Sequence, residues 1–541
     1  MLTRRWVLRF VATVLALLAV PAGRLAGAPE PLRQPKLVIV LVIDQFRYDY
    51  LQRFRPYFVE GGFRLLLDGG ANFVDCRYDY ATTATGPGHA TLLTGAYPNM
   101  HGIIGNEWYD PIRHKPVKCV EDPTVKPVTD EGMRDGFGMS PRNLLGSTLG
   151  DELRMASNFE SKVIAISLKD RAAILPGGHT ANAAYWYNSK TGHFVTSTYY
   201  MTSLPAWVRG FNSQPPALAY CGKGWEALPE TPGAGGKTFS TFRGRAGEAC
   251  PDPQFLDWIN ETPNMNEIEL NFAREAIRNE HLGQGTATDL LTVSLSVNDY
   301  IGHAAGPYNP EVADATLRTD RYLRDFFLAV DQMVGLHNVW VALSADHGVA
   351  PTPRFIKEHH LGPGNVQLGS IKEEVDKALN RAFGSDNWVE DAGEFCIYLN
   401  QSALKKHDAD PAKAETIAAE AAESLPWIWA AFPRARLESD VLSHSPMVRK
   451  AMNSFNRKRS GDVFLVLDPY AVPTSNDTST THGSPWNYDA QVPMVLWGSA
   501  FKPGTYAQPC QTIDLAATLA AALGLTQPSG AQGRALAEAL R

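Results

Sequence analysis

Short hydrophobic runs rich in valine, isoleucine and leucine recur along the chain, and polar or charged residues follow each of them. Continuous apolar runs of this length are typical of strands that are buried on both faces of a parallel sheet. The runs and the residues after them are Leu37–Ile43 before Asp44, Val163–Leu168 before Lys169, Leu290–Val297 before Asp299, and Val339–Leu343 before Asp346. We therefore predict four buried strands with polar side chains at their carboxyl ends.

Between these runs, apolar residues recur at helical spacing. The clearest segment is 311–334, whose charged residues lie opposite the apolar face, and a second helix is predicted over 369–383. Alternating strands and helices predict an α/β fold of three layers, with helices on both faces of a mainly parallel sheet. In such sheets, ligands collect at the carboxyl ends of the strands.

Two segments interrupt this alternation. Residues 200–265 are rich in proline and glycine, and we interpret them as loops inserted between core strands that could cover a site. Residues 385–460 form a second interruption, after which Val463–Leu467 is predicted to resume the core sheet. Because 541 residues exceed the usual size of one hydrophobic core, we expect one large domain over 29–541 that carries these two insertions.

The first 28 residues have the pattern of an export signal. Three arginines precede an apolar run over 10–20, and a small-residue cleavage site ends at Ala28. The run is too short to span a bilayer, which takes roughly 20 residues, so we expect no stable membrane anchor after cleavage and a periplasmic or secreted protein. The adjacent Arg4 and Arg5 are compatible with a twin-arginine signal as well as an ordinary one.

Composition and charge narrow the class of protein. Hydrophobic residues make up 44% of the chain and charged residues 20%, as in ordinary soluble globular proteins. Residues 1–28 hold four arginines and no acidic residue, so their removal takes the formal net charge from −7 to −11. This balance argues against a nucleic-acid-binding surface.

The six cysteines are widely spaced and contain no CxxC pair, which excludes a zinc ribbon and a thioredoxin motif. Export makes disulfides feasible. Cys221 and Cys250 flank a loop that a bridge could close, although six cysteines allow fifteen pairings.

Six oxygen and nitrogen donors follow predicted strands or lie in loops. Three carboxylates and three imidazoles suit zinc, disfavour calcium and leave other transition metals open, and six donors would furnish two sites of three ligands each. The donors are Asp44, Asp299, His303, Asp346, His347 and His482.

A glycine-punctuated loop, 82–95, leads into a predicted helix, and Thr85 lies near the helix start. Unpaired backbone N–H groups and the positive end of the helix dipole favour an alkoxide and phosphoryl oxygens at this position. The alternative is that Thr85 serves only as the N-cap of the helix.

Seven motifs together resemble the nucleotide pyrophosphatase/phosphodiesterase branch of the alkaline phosphatase superfamily, and within it the phosphate-irrepressible bacterial alkaline phosphatases. They occur in the family's order over nearly the whole mature chain. The motifs are VLVID ending at Asp44, TGPGHATLLTG from Thr85, Gly105–Trp108, Lys169–Arg171, Asn298–His303, Ser344–Gly348 and Thr481–Gly483.

The resemblance implies an alkaline phosphatase-like fold with two zinc ions and Thr85 as a covalent nucleophile. One Zn²⁺ would be held by Asp299, His303 and His482. The other would be held by Asp44, Asp346 and His347, with the nucleophile Thr85 beside it as a further metal-binding residue. It further implies hydrolysis of phosphate monoesters through a phosphothreonine intermediate, with small-molecule esters as the partners.

Members that prefer monoesters pair an Asn106-type residue with a lysine and an arginine, which Lys169 and Arg171 match. Two cations suit the dianionic phosphoryl group of a monoester better than the single negative charge of a diester. If the preceding strand continued, Lys169 and Arg171 would point to the same side, with Asp170 facing away. The alternative is a basic pair on the surface.

Three other functions were weighed against this one. A nucleotide or lipid phosphodiesterase would share the metal and threonine motifs. A sulfatase would need a C-x-P-x-R type sequence, which no cysteine here has, and a non-catalytic, zinc-stabilised binding protein would not need Thr85. Phe46, Trp108 and Tyr300 are the aromatic candidates to line a leaving-group pocket, or else to lie in the core.

Overall fold

The computed structural model describes residues 34–241, 250, 252–439 and 443–541, so the predicted export signal lies outside the described residues. Its centre is a large mixed sheet. In spatial order the strands are Gly504–Tyr506, Ala71–Arg77, Gln491–Trp497, Val339–Ser344, Leu37–Ile43, Asp289–Leu295, Val163–Ser167, Ala183–Asn188, His193–Ser197, Pro127–Thr129 and Gly132–Met133, and Cys510–Gln511 pairs with Ala71–Arg77.

The middle of the sheet is parallel, as predicted. Leu37–Ile43 lies between Asp289–Leu295 and Val339–Ser344, parallel to both, and all seven of its residues are buried. Val163–Ser167 extends the parallel part. Gln491–Trp497 pairs antiparallel to Val339–Ser344, so the sheet becomes mixed towards its edges.

The helices lie on both faces of the sheet, which confirms the predicted layers. In strand Ala183–Asn188, Tyr185 packs in the same cluster as helix Asn264–Asn279, whereas Ala184 packs with helix Asp170–Gly177. The α-helices are Tyr50–Arg53, Phe63–Gly69, Thr85–Thr94, Pro98–His101, Leu149–Ala156, Asp170–Gly177, Ala206–Ser213, Pro253–Asn260, Asn264–Asn279, Val297–Ala305, Pro310–Met333, Pro353–Glu358, Gly369–Phe383, Gln401–Lys406, Pro411–Glu423, Arg434–Leu437, Pro446–Ser454, Asn487–Ala490 and Asp514–Leu523.

The helix predicted over 311–334 is Pro310–Met333, and the one predicted over 369–383 has those bounds. One strand was predicted too long. The apolar run through Val297 ends as a strand at Leu295, because Val297 begins the helix Val297–Ala305.

A separate four-stranded antiparallel sheet, which we call the accessory sheet, consists of Val389–Ala392, Cys396–Leu399, Val463–Leu467 and Ile428–Pro433 in spatial order. It packs against helices Gly369–Phe383 and Pro411–Glu423 around its own apolar core. The prediction that Val463–Leu467 resumes the core sheet is wrong. Its partners are the two accessory strands beside it, and a five-residue apolar run carries no information about which sheet it joins.

Residues 200–265 contain more regular structure than predicted, including helix Ala206–Ser213 and the strand pair Gly224–Glu226 and Thr238–Thr241. Trp225 Nε1 donates to Asp314 on helix Pro310–Met333 over 2.7 Å. The described part of the segment thus packs on the helical layer. Cys221 and Cys250 form a disulfide that closes this loop.

Small strand pairs complete the fold: Glu107–Asp110 with Lys115–Lys118, Glu121–Asp122 with Gly138–Met139, and Gly364–Asn365 with Ala471–Val472. No helix within the described ranges has both the length and the apolar character needed to cross a bilayer.

Candidate active site

Four strands of the parallel region deliver polar residues to one edge of the sheet. Asp44 and Asp346 follow neighbouring strands, Lys169 follows Val163–Ser167, and Asp299 lies in the first turn of helix Val297–Ala305. All four are buried. The strand-end pattern of the sequence therefore identified the residues that meet here.

The first group of donors consists of Asp44, Asp346 and His347. His347 Nε2 lies 3.4 Å from Asp44 Oδ1 and 3.4 Å from Asp346 Oδ2. These three atoms are fully buried and have no hydrogen-bond partner within the described structure. Buried polar atoms are normally paired, so three converging unpaired donors fit a bound metal cation.

The second group gathers around Asp299. Its Oδ1 lies 3.2 Å from His303 Nε2, one helical turn away, and 3.6 Å from His482 Nε2. The His482 ring also stacks on His347 at 3.5 Å, so the two groups adjoin. Ligand atoms of Asp299, His347 and His482 all lie within 4.8 Å of one another, whereas the resemblance places His303 with Asp299 and His482.

The three histidines are oriented alike. Each Nδ1 donates to a backbone carbonyl, which fixes the ring and turns Nε2 towards the carboxylates. The acceptors are Thr480 O for His303, Gly348 O for His347 and Thr83 O for His482. Burial lowers the pKa of His347 and, well below its ordinary value, that of His482, which favours the neutral imidazole that binds metals.

The carboxylates differ in their electrostatic setting. Burial raises the pKa of Asp44 well above its ordinary value, and the Asp346 charge raises it further. Burial also acts to raise the pKa of Asp299, but the charges of His303 and Lys169 outweigh it and hold that pKa well below its usual range. A divalent cation would relieve the cost of the buried negative charges.

Thr85 is the first residue of helix Thr85–Thr94, and Ala84 is the N-cap. The interpretation of Thr85 as a mere N-cap is therefore wrong, because its residue position lies inside the helix. The helix approaches the first donor group closely: a Cβ at Gly88 would stand 2.2 Å from Asp346 O. His89, one turn on from Thr85, lies 3.3 Å from Asp346 Oδ2.

Lys169 bridges the two donor groups. Its Nζ lies 2.6 Å from Asp44 Oδ2 and 2.6 Å from Asp299 Oδ2. The expectation that the strand continues through Arg171 is wrong, because Lys169 is an N-cap and Asp170 begins the next helix. Burial acts to lower the pKa of the Arg171 guanidinium, but the Asp170 charge, with smaller contributions from Cys119, Asp44 and Asp299, raises it above its ordinary value. Arg171 therefore still interacts with carboxylates of both donor groups.

Asn106 Oδ1 accepts from Gly86 N over 2.7 Å, so the asparagine is tied to the first turn of the Thr85 helix. The side chain of Asn106 also lines a cavity of about 450 Å³ that reaches His303 and His482. The structure thus brings the three predicted phosphate-binding residues to one place, beside the donor groups.

Comparison with known proteins agrees with this geometry. The sequence profile of the family described as type I phosphodiesterase/nucleotide pyrophosphatase matches residues 38–488. The chain belongs to this family. Alkaline phosphatase PhoV of Synechococcus elongatus is 37% identical, over 95% of this chain and 94% of its own length.

Within the family, alkaline phosphatase PafA of Elizabethkingia meningoseptica is 36% identical, over 94% of this chain and 95% of its own length. The crystal structure of wild-type PafA superposes with a TM-score of 0.85 at 34% identity, covering 94% of this chain and all of that one. The alkaline phosphatase-like fold expected from the motifs is therefore confirmed.

Sequence reasoning missed Gln45, which joins the two donor groups. Its backbone N donates to Asp346 Oδ1 over 3.0 Å, and its Nε2 donates to Asp299 Oδ1 over 2.7 Å. Gln45 has a φ of 60°, and a Cβ at Gly302 would clash with its side chain. The only sequence signal was that Gln45 directly follows Asp44.

The aromatic candidates separate into three environments. Of the two interpretations of Phe46, the pocket is wrong and the core is right, because the ring is buried against Tyr50 and Phe63. Trp108 lines the cavity. Tyr300 lies beside the donors, with its ring centroid 5.1 Å from Lys169 Nζ.

Proposed function

We propose that this protein is a metal-dependent alkaline phosphatase that hydrolyses phosphate monoesters through a phosphothreonine intermediate on Thr85. The observation that carries the proposal is the placement of Thr85 at the start of a helix packed against the Asp346 donor group, with Lys169 bridging both groups. The alkaline phosphatase relatives support the monoester as the substrate class.

Two Zn²⁺ ions are the proposed cofactors. Asp44, Asp346 and His347 would hold one, with Thr85 beside it, and their unpaired atoms are the observation that fits a cation. The second would be held by Asp299, His303 and His482. Bound zinc would supply Lewis acidity, lowering the pKa of the attacking hydroxyl and neutralising the leaving oxygen.

In the proposed reaction, Thr85 Oγ gives its proton to solvent and attacks phosphorus while the bond from phosphorus to the ester oxygen breaks, so the phosphoryl group moves to Thr85 and the departing alkoxide takes up a proton from solvent. Water then attacks the phosphothreonine, which releases inorganic phosphate and restores the hydroxyl. Two in-line displacements retain configuration at phosphorus. In the first helical turn Gly86 N already donates to Asn106 Oδ1, Pro87 has no N–H and Gly88 N donates to Ala84 O, so the positive end of the helix dipole, rather than a row of free N–H groups, would stabilise charge on the phosphoryl oxygens.

The second substrate-binding component is cationic. Lys169 carries three N–H donors, two of which face carboxylates, and we assign the third to a phosphoryl oxygen. Arg171 Nε is buried and has no hydrogen-bond partner in the described structure, so its N–H could donate to a phosphoryl oxygen. Asn106, tied to Gly86, would contact the same group.

The alternative that the family keeps open is a nucleotide or lipid phosphodiesterase. The two reactions are distinguished by comparing kcat/KM for p-nitrophenyl phosphate and its bis ester in metal-replete protein, with Lys169→Ala and Arg171→Ala. We expect the monoester to be preferred, and each variant to lose about 10²–10³-fold on the monoester but less on the diester. A diester preference unaffected by either substitution would contradict the proposal, and turnover of neither ester would favour a non-catalytic binding protein.

Periplasmic or secreted localisation is also proposed, from the export signal over 1–28. The disulfide between Cys221 and Cys250 supports it, because structural disulfides persist mainly in oxidising compartments.

A further inference from the structure

The cavity beside His303 and His482 is walled by two structural units outside the donor groups. One is the strand pair Glu107–Asp110 and Lys115–Lys118, and the other is the accessory sheet with its turn between Ala392 and Cys396. Aromatic rings form much of this wall. They belong to Trp108, Tyr109, Phe395, Tyr398 and Phe464.

The charged side chains of this wall all have the same sign. Glu107, Asp391 and Glu394 line the cavity, and the described lining includes no lysine or arginine. None of the three carboxylates forms a hydrogen bond or ion pair among the described residues. The neighbouring Glu390, which does not line the cavity, is instead paired with His114 at 3.4 Å.

Two basic residues near this wall, Arg459 and Lys372, have other partners. The Arg459 guanidinium lies 5.1 Å over the outer ring of Trp108 and donates to Asn143 O over 2.7 Å. Lys372 forms an ion pair with Asp376 at 2.9 Å. Lys118 lies opposite Glu107 in the strand pair but forms no ion pair with it among the described residues. Burial raises the pKa of Glu394 to about 8, so above that pH the cavity-facing carboxylates carry negative charge that no described ion pair compensates.

We propose that this cavity receives the leaving group and selects monoesters whose leaving group is aromatic and neutral or cationic over those whose leaving group carries further negative charge. The inference rests on the proposed function, because it concerns the leaving group of the same phosphate monoester. Aromatic faces attract cations and pack aryl groups. Unpaired carboxylates repel anions, which is how an otherwise open cavity rejects a substrate class.

Three aryl phosphates that differ at one meta substituent test the selection. They carry a trimethylammoniomethyl, a hydroxymethyl or a carboxymethyl group, and the methylene keeps the three phenol leaving groups similar. At low ionic strength, where the Debye length is ~30 Å, and at a pH above the pKa of about 8 to which burial raises Glu394, we expect kcat/KM to be about tenfold or more higher for the cationic than for the anionic ester. High salt should shrink this ratio.

The matched variants identify the source of the selectivity. In the double variant Asp391→Asn with Glu394→Gln, the cation-to-anion ratio should fall to within about threefold of unity, and Glu107→Gln, at the exposed rim, should lower it by less. Glu390→Gln is the control and should keep the wild-type ratio. Thermal unfolding of each variant checks that the fold is retained, and Glu107→Gln keeps the test open if the double variant does not fold.

The outcomes separate this inference from the proposed function. Hydrolysis of the neutral ester with a wild-type ratio near unity would overturn the inference alone. A large ratio that survives all the cavity substitutions would also overturn it, because the selectivity would then arise elsewhere. Absence of turnover of the neutral ester by metal-replete protein would instead contradict the proposed phosphatase.

Discussion

The carboxyl edge of the central sheet and the accessory sheet differ in what they bury. At the central edge, Asp44, Asp346 and His347 are fully buried, and each has a polar atom that forms no hydrogen bond within the described structure. The accessory sheet instead surrounds a core of apolar side chains such as Leu379 and Trp388. Burying unpaired charge costs free energy, whereas burying apolar surface stabilises the fold.

We infer from this difference that the central edge serves the chemistry and the accessory sheet serves the stability of the fold. The central edge is built to hold cations and a nucleophile, so changes there should alter chemistry. The accessory sheet packs around its own apolar core and lines the cavity with its turn and with Tyr398 and Phe464 on the other side, so changes in that core should alter folding. The predictions below test this division, from the largest expected effect to the smallest.

The first prediction concerns the central edge. Thr85→Ala should lower kcat by at least about 10⁴-fold while bound zinc, measured by mass spectrometry, stays near the wild-type level, because the nucleophile is lost and the six proposed aspartate and histidine ligands are kept. Thr94→Ala at the far end of the same helix is the control, since its hydroxyl bonds only to backbone near the helix end, donating to Ala90 O and accepting from Ala96 N in the described structure. An active Thr85→Ala enzyme would refute the assignment.

The second prediction concerns the accessory sheet. Leu379→Ala removes a fully buried side chain of its core and should lower the free energy of unfolding by about 2–5 kcal/mol. Values of kcat/KM per folded molecule at room temperature should change little. Chemical denaturation paired with kinetics measures both, and a large loss of kcat/KM in the folded variant would argue against separate tasks.

The third prediction returns to the contact between the Thr85 helix and the metal-binding group. Gly88→Ala would place a Cβ 2.2 Å from Asp346 O, so the helix must shift, and a misplacement of about 1 Å can cost about 10²-fold in rate. Gly210→Ala, in a helix where an added Cβ meets nothing within 4 Å, should leave kcat unchanged. Equal kcat values for the two variants would contradict the close packing.

The smallest expected effect is a pH dependence at Asp489, which lies in the segment between the two regions and accepts from Ser484. Burial raises the pKa of Asp489 to about 7. The folded protein then binds a proton that the unfolded chain has lost, so stability should fall as pH rises from about 4 to about 7, by up to about 1.4 kcal/mol per pH unit.

Asp489→Asn should flatten that part of the stability curve, measured by denaturant unfolding at several pH values. Asp477→Asn, at an exposed ion pair with Arg354, is the control and should leave the slope unchanged. Identical slopes for wild type and Asp489→Asn would show that this carboxyl is not the titrating group.

Much of the central sheet could be predicted because buried parallel strands leave a direct signal in the sequence. The Leu37–Ile43 run needed no tertiary information to be recognised, and the polar residues after such runs led to the donor groups. Val463–Leu467 has the same signal but joins the accessory sheet. A local apolar run indicates that a strand is buried. Which sheet the strand joins depends on its pairing with strands that are distant in sequence.

The residues of the site could be predicted where their role follows from their chemical type. They could be predicted less well where their position depends on the local backbone conformation. Asp170 starts a helix, so strand alternation was the wrong basis for placing Arg171. Gln45 joins both donor groups only because its backbone takes a left-handed conformation. Phe46, next in the chain, turns into the core instead of the cavity.

The central claim is that the phosphoryl group passes through Thr85. Metal-replete enzyme is mixed rapidly with a monoester, quenched in acid and digested, and the peptides are examined by mass spectrometry. The account predicts a phosphate on Thr85 in the wild type and none on the corresponding peptide of Thr85→Ala. Turnover without any phosphorylated peptide, or with the phosphate on another residue, would contradict it.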